Sequence, residues 1–243
     1  MNLLSVENLS KMVGERQLFK NLSFGIAEGD KVALVARNGT GKTTLLKIIA
    51  GMDTADDGKV VFRRDIKTGY LPQDPVFEPG MLVIDALMSE DSYEARLLKA
   101  YERALEGKGS ALFEGKETEL GDLSRKIDLA NAWDFETRIK QVAGKLALHE
   151  MSQPVDSLSG GQKKRLALAK VLVHKPDLLI LDEPTNHLDV DAIGRLMSGL
   201  LAASQRPAIL IISHDPSVIA YADTVYRLDG GLLARVPPAP MGP

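Results

Sequence analysis

The chain has 243 residues, is 44% hydrophobic and 26% charged, contains no cysteine and carries a formal net charge of −3. That length supports one large α/β domain, or one domain with a subdomain, and the lack of cysteine excludes a disulfide framework and a thiolate metal site. The acidic balance excludes electrostatic capture of nucleic acid by the surface as a whole. Apolar runs such as Ala208 to Ile212 are too short to cross a bilayer, and residues 1–5 lack the basic start and long apolar core of a signal peptide, so a cytoplasmic protein with no membrane insertion is expected.

Leu3, Leu4 and Val6, then Leu22, Phe24 and Ile26, mark two β segments on either side of a turn near Gly14 and Glu15. They predict an antiparallel flap. Next, the apolar run Val32-Ala33-Leu34-Val35 leads through Ala36-Arg37-Asn38-Gly39-Thr40-Gly41-Lys42-Thr43-Thr44 into the helical run from Leu45 to Ala50. Strand, glycine-containing turn and helix is the context of a phosphate-binding loop. Backbone N–H groups from Asn38 to Thr44 face the phosphates, Lys42 reaches the β/γ oxygens, and the Thr43 hydroxyl ligates Mg²⁺. Ala36 stands where G-x-x-x-x-G-K-[ST] begins with glycine, and alanine does not adopt φ > 0 without strain. A flap ahead of such a loop usually presses an aromatic ring on the base. Lys11, Met12, Val13 and Gly14 offer none, and Phe19 reads as core, so base recognition is expected to be weak or supplied elsewhere.

Gly51 stops the first helix, and Asp56-Asp57-Gly58-Lys59 turns the chain into a strand at Val60-Val61-Phe62. Gln73, between Pro72 and Pro75, sits on a stiffened loop from which a side-chain carbonyl can reach a metal or a water. From about residue 83 to 150 the period becomes helical, with Leu97, Leu98, Tyr101 and Leu105, then Leu123, Ile127, Leu129 and Ala130, then Ile139, Val142 and Leu146. Trp133 reads as packing and Asp134 as a helix cap. This is a helical subdomain inserted in the α/β core.

Leu158-Ser159-Gly160-Gly161-Gln162 opens a further helix, its serine and two glycines forming a second anion-binding end. The continuous apolar run Leu178-Leu179-Ile180-Leu181 suits a strand buried on both faces of a parallel sheet and ends in Asp182-Glu183-Pro184-Thr185-Asn186-His187-Leu188-Asp189. A carboxylate just off such a strand can hold Mg²⁺, and the next can take a proton from an attacking water. Residues 208–212 form another buried strand followed by Ser213-His214-Asp215, so Gln73, Glu183 and His214 all fall at the carboxyl edge of one sheet. Residues 224–228 and 232–236 flank Asp229-Gly230-Gly231 as a hairpin, and residues 237–243 read as a disordered tail.

With these motifs in this order, residues 1–236 resemble one ATP-binding cassette (ABC) ATPase domain. The resemblance implies a P-loop NTPase α/β fold with a mainly parallel core sheet, an N-terminal antiparallel β subdomain and the inserted helices. The string Asp182 to Asp189, the stretch Trp133-Asp134-Phe135-Glu136 and the long span from Gln73 to Leu158 look most like the ABC-F subfamily, soluble tandem cassettes associated with ribosomes and translation. By that resemblance Lys42 is the phosphate lysine, Thr43 and Gln73 are Mg²⁺ ligands, Asp182 is the metal-associated carboxylate, Glu183 the general base and His214 the γ-phosphate sensor. Ser159, Gly160, Gly161 and Gln162 would meet ATP held by a partner cassette, a second copy or another cassette docked head to tail. Pro216-Ser217-Val218-Ile219 and Tyr221-Ala222-Asp223 look closer to transporter cassettes, which keeps a membrane-transporter subunit as the alternative. Ala36 and Val13 motivate a third reading, a degenerate ATP-binding module. The second cassette and the basic linker of a full ABC-F protein are absent, so one cassette of a longer protein, or a half-size protein, is expected.

Overall fold

A computed structural model describes residues 1–88, 93–107, 119–185 and 207–237. Of the motifs singled out above, Asn186-His187-Leu188-Asp189 and tail residues 238–243 lie outside the described residues. The chain divides into two compact units, Met1–Pro75 with Lys175–Pro243, and Val76–His174.

In the first unit, β1 (Asn2–Val13) and β2 (Arg16–Ala27) pair antiparallel with Val6 opposite Phe24, and β4 (Asp57–Phe62) adds to the other side of β1 with Leu4 opposite Phe62. Alternation places Leu4, Val6, Leu22, Phe24 and Ile26 on the buried face. Phe19 is fully buried, as core rather than as a platform. Gly58 has φ 84°, and a β-carbon there would lie 2.4 Å from the Asn8 carbonyl oxygen. Gly58→Ala is therefore expected to lower the melting temperature by about 2–12 °C, since backbone strain of about 1–3 kcal/mol converts at roughly 2–4 °C per kcal/mol in a chain of this size. An unchanged melting curve would mean that β1 and β4 part without cost.

The second sheet has the order β5-β6-β7-β3-β8-β9, built from β5 (Thr68–Leu71), β6 (Leu178–Asp182), β7 (Ala208–Ile212), β3 (Lys31–Ala36), β8 (Thr224–Asp229) and β9 (Leu232–Val236). The first five are mutually parallel, and β9 returns antiparallel through the predicted hairpin. Every residue of β6 and β7 is buried, which explains why neither strand alternates in sequence. Helix α1 (Lys42–Ile49) buries Leu45, Leu46, Ile48 and Ile49 in the same core as Leu178 and Ile180. The turn at Gly231 accepts a hydrogen bond from the Lys20 backbone N–H at 2.9 Å, fixing β2 to the sheet's far hairpin.

The second unit is helical: α2 (Val83–Leu87), α3 (Tyr93–Leu105), α4 (Leu120–Ala130), α5 (Asp134–Lys145) and α6 (Gly160–Val173). Helices α3 and α4 share a small core of Leu97, Ala100, Leu123 and Ile127. Leu129, which spacing groups with them, is instead 77% exposed, because it lies two residues beyond Ile127 and so on another face. Trp133 is half exposed, stacks edge-on against Tyr101 and donates its Nε1–H to Asp128 at 2.6 Å. Asp134 is the first residue of α5 rather than its cap, which is Trp133, so it acts on the helix only as a first-turn acid. Among the described residues no helix is long and apolar enough to cross a membrane.

Candidate active site

The loop after β3 takes its shape from two glycines and one close approach. Gly39 and Gly41 have φ 78° and 93°. A β-carbon on Gly41 would lie 2.9 Å from that of Leu18, so β2 presses on the loop where only glycine fits. The Thr40 hydroxyl donates to the Arg37 carbonyl at 2.8 Å and closes the turn. Ala36 has no positive φ: it is the last residue of β3, extended and buried, and so meets none of the strain expected for it. Helix α1 begins at Lys42 with no side-chain cap and no acid in its first turn. Its positive end is thus left available to an anion.

Lys42 is buried, and its ammonium gathers the surrounding side chains. It donates to the Ala36 carbonyl at 2.8 Å and to Asn38 Oδ1 at 3.3 Å, pairs with Glu183 Oε1 at 3.2 Å and lies against His214 Nε2. Glu183 Oε1 and His214 Nε2 are themselves 3.5 Å apart.

The parallel register brings these groups together. Strands β5, β6 and β7 are adjacent, followed by β3, so the residues after each carboxyl end occupy one edge: Gln73, Glu183, His214 and the phosphate loop. Glu183 leaves β6 in a left-handed conformation, φ 45°, while its N–H donates to Ile212 at 3.1 Å. That uncommon backbone for a glutamate turns its side chain back over the loop, and such strain is concentrated at functional sites. Behind it, buried Thr185 and Ser213 hydroxyls meet at 3.5 Å, and Ser213 Oγ accepts from the Asp215 N–H at 3.1 Å. These contacts fix the two turns that carry Glu183 and His214.

Asp182 ends β6 fully buried, and neither carboxylate oxygen has a hydrogen-bond partner among the described residues. Burial raises its pKa above the ordinary value and the Glu183 charge adds to this, while the Thr43 hydroxyl, Lys42 and Lys47 act in the opposite direction. The hydroxyls of Thr43 and Tyr70 are near enough to act on its charge without completing a hydrogen bond to it. Tyr70, which sequence reasoning missed, has its pKa pushed up to about 12 by burial and by Asp182, so its hydroxyl stays neutral. A buried carboxylate with unsatisfied oxygens beside a threonine hydroxyl fits a hard divalent cation. No cluster of three or more His, Asp or Glu forms among the described residues. Gln73 follows β5 at this edge and is partly buried.

The remaining predicted residues belong to the helical unit. Ser159 caps α6: its Oγ accepts from the Gln162 N–H at 3.3 Å and the Gln162 side chain accepts from the Ser159 N–H at 2.8 Å, a capping box. Gly160 and Gly161 form the first turn, and no acid lies in it.

A mainly parallel sheet with a phosphate loop after β3 and the acids Asp182 and Glu183 at the end of β6, one strand removed across β7, fits a phosphate-loop nucleotide hydrolase of the ATP-binding-cassette class. The profile of the family described as "ABC transporter" matches residues 19–186. The chain belongs to that family: it is an ABC ATPase domain that binds ATP. It is 40% identical over 236 residues to the uncharacterized ABC transporter ATP-binding protein YfmR of Bacillus subtilis, covering 96% of this chain and 37% of that protein. It is 37% identical over 238 residues to the ATP-binding protein Uup of Haemophilus influenzae, covering 98% and 36%. Against the energy-dependent translational throttle protein EttA of Escherichia coli K12 the identity is 35% over 203 residues, covering 83% and 36%. The chain thus spans well under half the length of these relatives. A nucleotide-free ATP-binding cassette from an ABC transporter shares the fold, with TM-score 0.70 and 22% identity over 98% of this chain and 92% of that one.

Proposed function

We propose that this cassette hydrolyses Mg-ATP in a composite site closed by a second cassette, and that it belongs to an ABC-F type protein acting on ribosomes. The observation that carries the hydrolytic reading is Lys42 held between Asn38, Glu183 and His214 at the mouth of the phosphate loop. Lys42 and the amides from Asn38 to Thr44 bind the triphosphate, displacing Glu183 from the ammonium. Glu183 then accepts a proton from the water in line with the γ-phosphate, and His214 hydrogen-bonds that phosphate. Thr43, Gln73 and Asp182 would hold Mg²⁺, which when bound supplies charge neutralisation between the β- and γ-phosphates. Ser159, Gly160, Gly161 and Gln162 would bind the γ-phosphate held by the partner through the open start of α6. Because one chain contributes a loop and a separate signature helix, two cassettes paired head to tail make two complete sites.

The ribosomal reading is supported by the likeness to EttA and Uup across at least 83% of this chain, together with the motif string from Asp182 to Asp189. It is tested by sedimenting Glu183→Gln protein with ribosomes. ATP-dependent association is expected, and a protein left in the supernatant with and without ATP would count against it. The competing reading, the nucleotide-binding subunit of a membrane transporter, is favoured by Pro216–Ile219, a short helix capped by Asp215 whose carboxylate accepts from the Ser217 N–H at 2.8 Å. Stable co-purification with a membrane-embedded partner would select it. The degenerate reading loses one of its two motives, since Ala36 leaves the loop unstrained.

A further inference from the structure

Strand β2 does more at the phosphate loop than press Leu18 on Gly41. Two residues earlier on the strand, Arg16 reaches the other glycine: its Nη2 lies 4.0 Å from where a β-carbon on Gly39 would be. Arg16 is exposed, and no acid or other hydrogen-bond acceptor holds its guanidinium among the described residues. The nearby cation Lys42 is by contrast fully engaged by Ala36, Asn38 and Glu183. The hairpin end that carries Arg16 pairs it with Val13, where no ring is available to stack on a base, and Met12 and Val13 are half exposed. An unpaired guanidinium over a ring of backbone amides is suited to an anion, and its fork of N–H donors matches phosphate oxygens.

We propose that Arg16 binds the phosphate chain of the nucleotide from the β2 side, opposite Lys42, so that this cassette replaces part of the missing base stacking with a base-independent phosphate contact. The inference rests on the nucleotide reading of the loop. Arg16 is positioned for it by the same strand that fixes Gly41, and β2 is held in turn by β1 and by the Lys20 to Gly231 hydrogen bond.

The test is equilibrium titration of the full chain with MgATP and MgGTP, using wild type, Arg16→Ala and Lys42→Ala. Arg16→Ala is expected to weaken both nucleotides by the same factor, about tenfold for the loss of one charge-assisted contact. Unchanged affinity in Arg16→Ala, or a loss confined to ATP, would overturn the proposal; the latter would make Arg16 a base platform instead. Lys42→Ala separates this failure from that of the underlying reading: if it too binds ATP as wild type does, the loop is not the nucleotide site. Since Arg16 is exposed, its alanine variant should melt with the wild type, and that control accompanies the titration.

Discussion

Glu183→Gln is expected to bind MgATP at least as tightly as wild type, to lose turnover by on the order of 10²–10⁴, and to accumulate in ATP as a dimer that elutes early in gel filtration. The loss follows from removing the proton acceptor while keeping the shape of the side chain. Retained affinity follows from the ion pair. Glu183 pairs with Lys42 at 3.2 Å, so a triphosphate reaching the ammonium competes with a carboxylate. A glutamine competes less for that charge, and the variant should therefore gain affinity where an ordinary active-site lesion would lose it. Wild-type turnover in Glu183→Gln would remove Glu183 from the role of base. Weakened ATP binding would show that the pair with Lys42 supports the site rather than competing with its ligand.

Asp182→Asn should separate stability from function. The folded protein raises the pKa of Asp182, so its charged form is disfavoured in the fold relative to the unfolded chain. The sign follows from linkage. A carboxyl whose folded pKa exceeds its unfolded one favours the folded state fully at pH below the unfolded pKa, and that favour is lost as pH rises through the folded pKa. The neutral amide escapes the cost, so without Mg²⁺ and nucleotide Asp182→Asn is expected to melt above wild type near neutral pH, by about 2–4 °C per kcal/mol recovered, and to converge with it in acid. Mg-dependent turnover should nevertheless fall by about 10² or more, because an amide is a poor ligand for a hard divalent cation in place of a carboxylate. Calorimetry across pH checks the first part and phosphate release the second. A variant less stable than wild type at every pH would mean that Asp182 is satisfied by its surroundings, contrary to its two unpartnered oxygens.

Much of the fold was legible because strong local signals agreed with the tertiary environment. Leu178 to Leu181 and Ala208 to Ile212 are apolar without alternation because both faces are covered, and that is how the sheet uses them. The phosphate loop was legible because its glycines answer a need that local sequence expresses directly, positive φ and close approach. Pairings made across the fold were not legible. Nothing in the spacing of Lys42, Glu183 and His214 says that the three side chains meet, nor that Arg16 and Leu18 lie near the loop. Helical periodicity likewise marks apolar residues without saying which find a neighbour: it groups Leu129 with Ile127, though only the latter is buried. A motif position alone does not tell whether Ala36 is strained, since glycine there is not demanded by a positive φ in this chain.

A crystal structure with Mg²⁺ and a non-hydrolysable ATP analogue tests the central claim most directly. It should show the β- and γ-phosphates on the amides between Gly39 and Thr44, with Lys42 on the γ-phosphate and Glu183 withdrawn from the lysine toward an in-line water. Analogue density away from the loop, or an intact pair between Lys42 and Glu183 with nucleotide bound, would contradict the account.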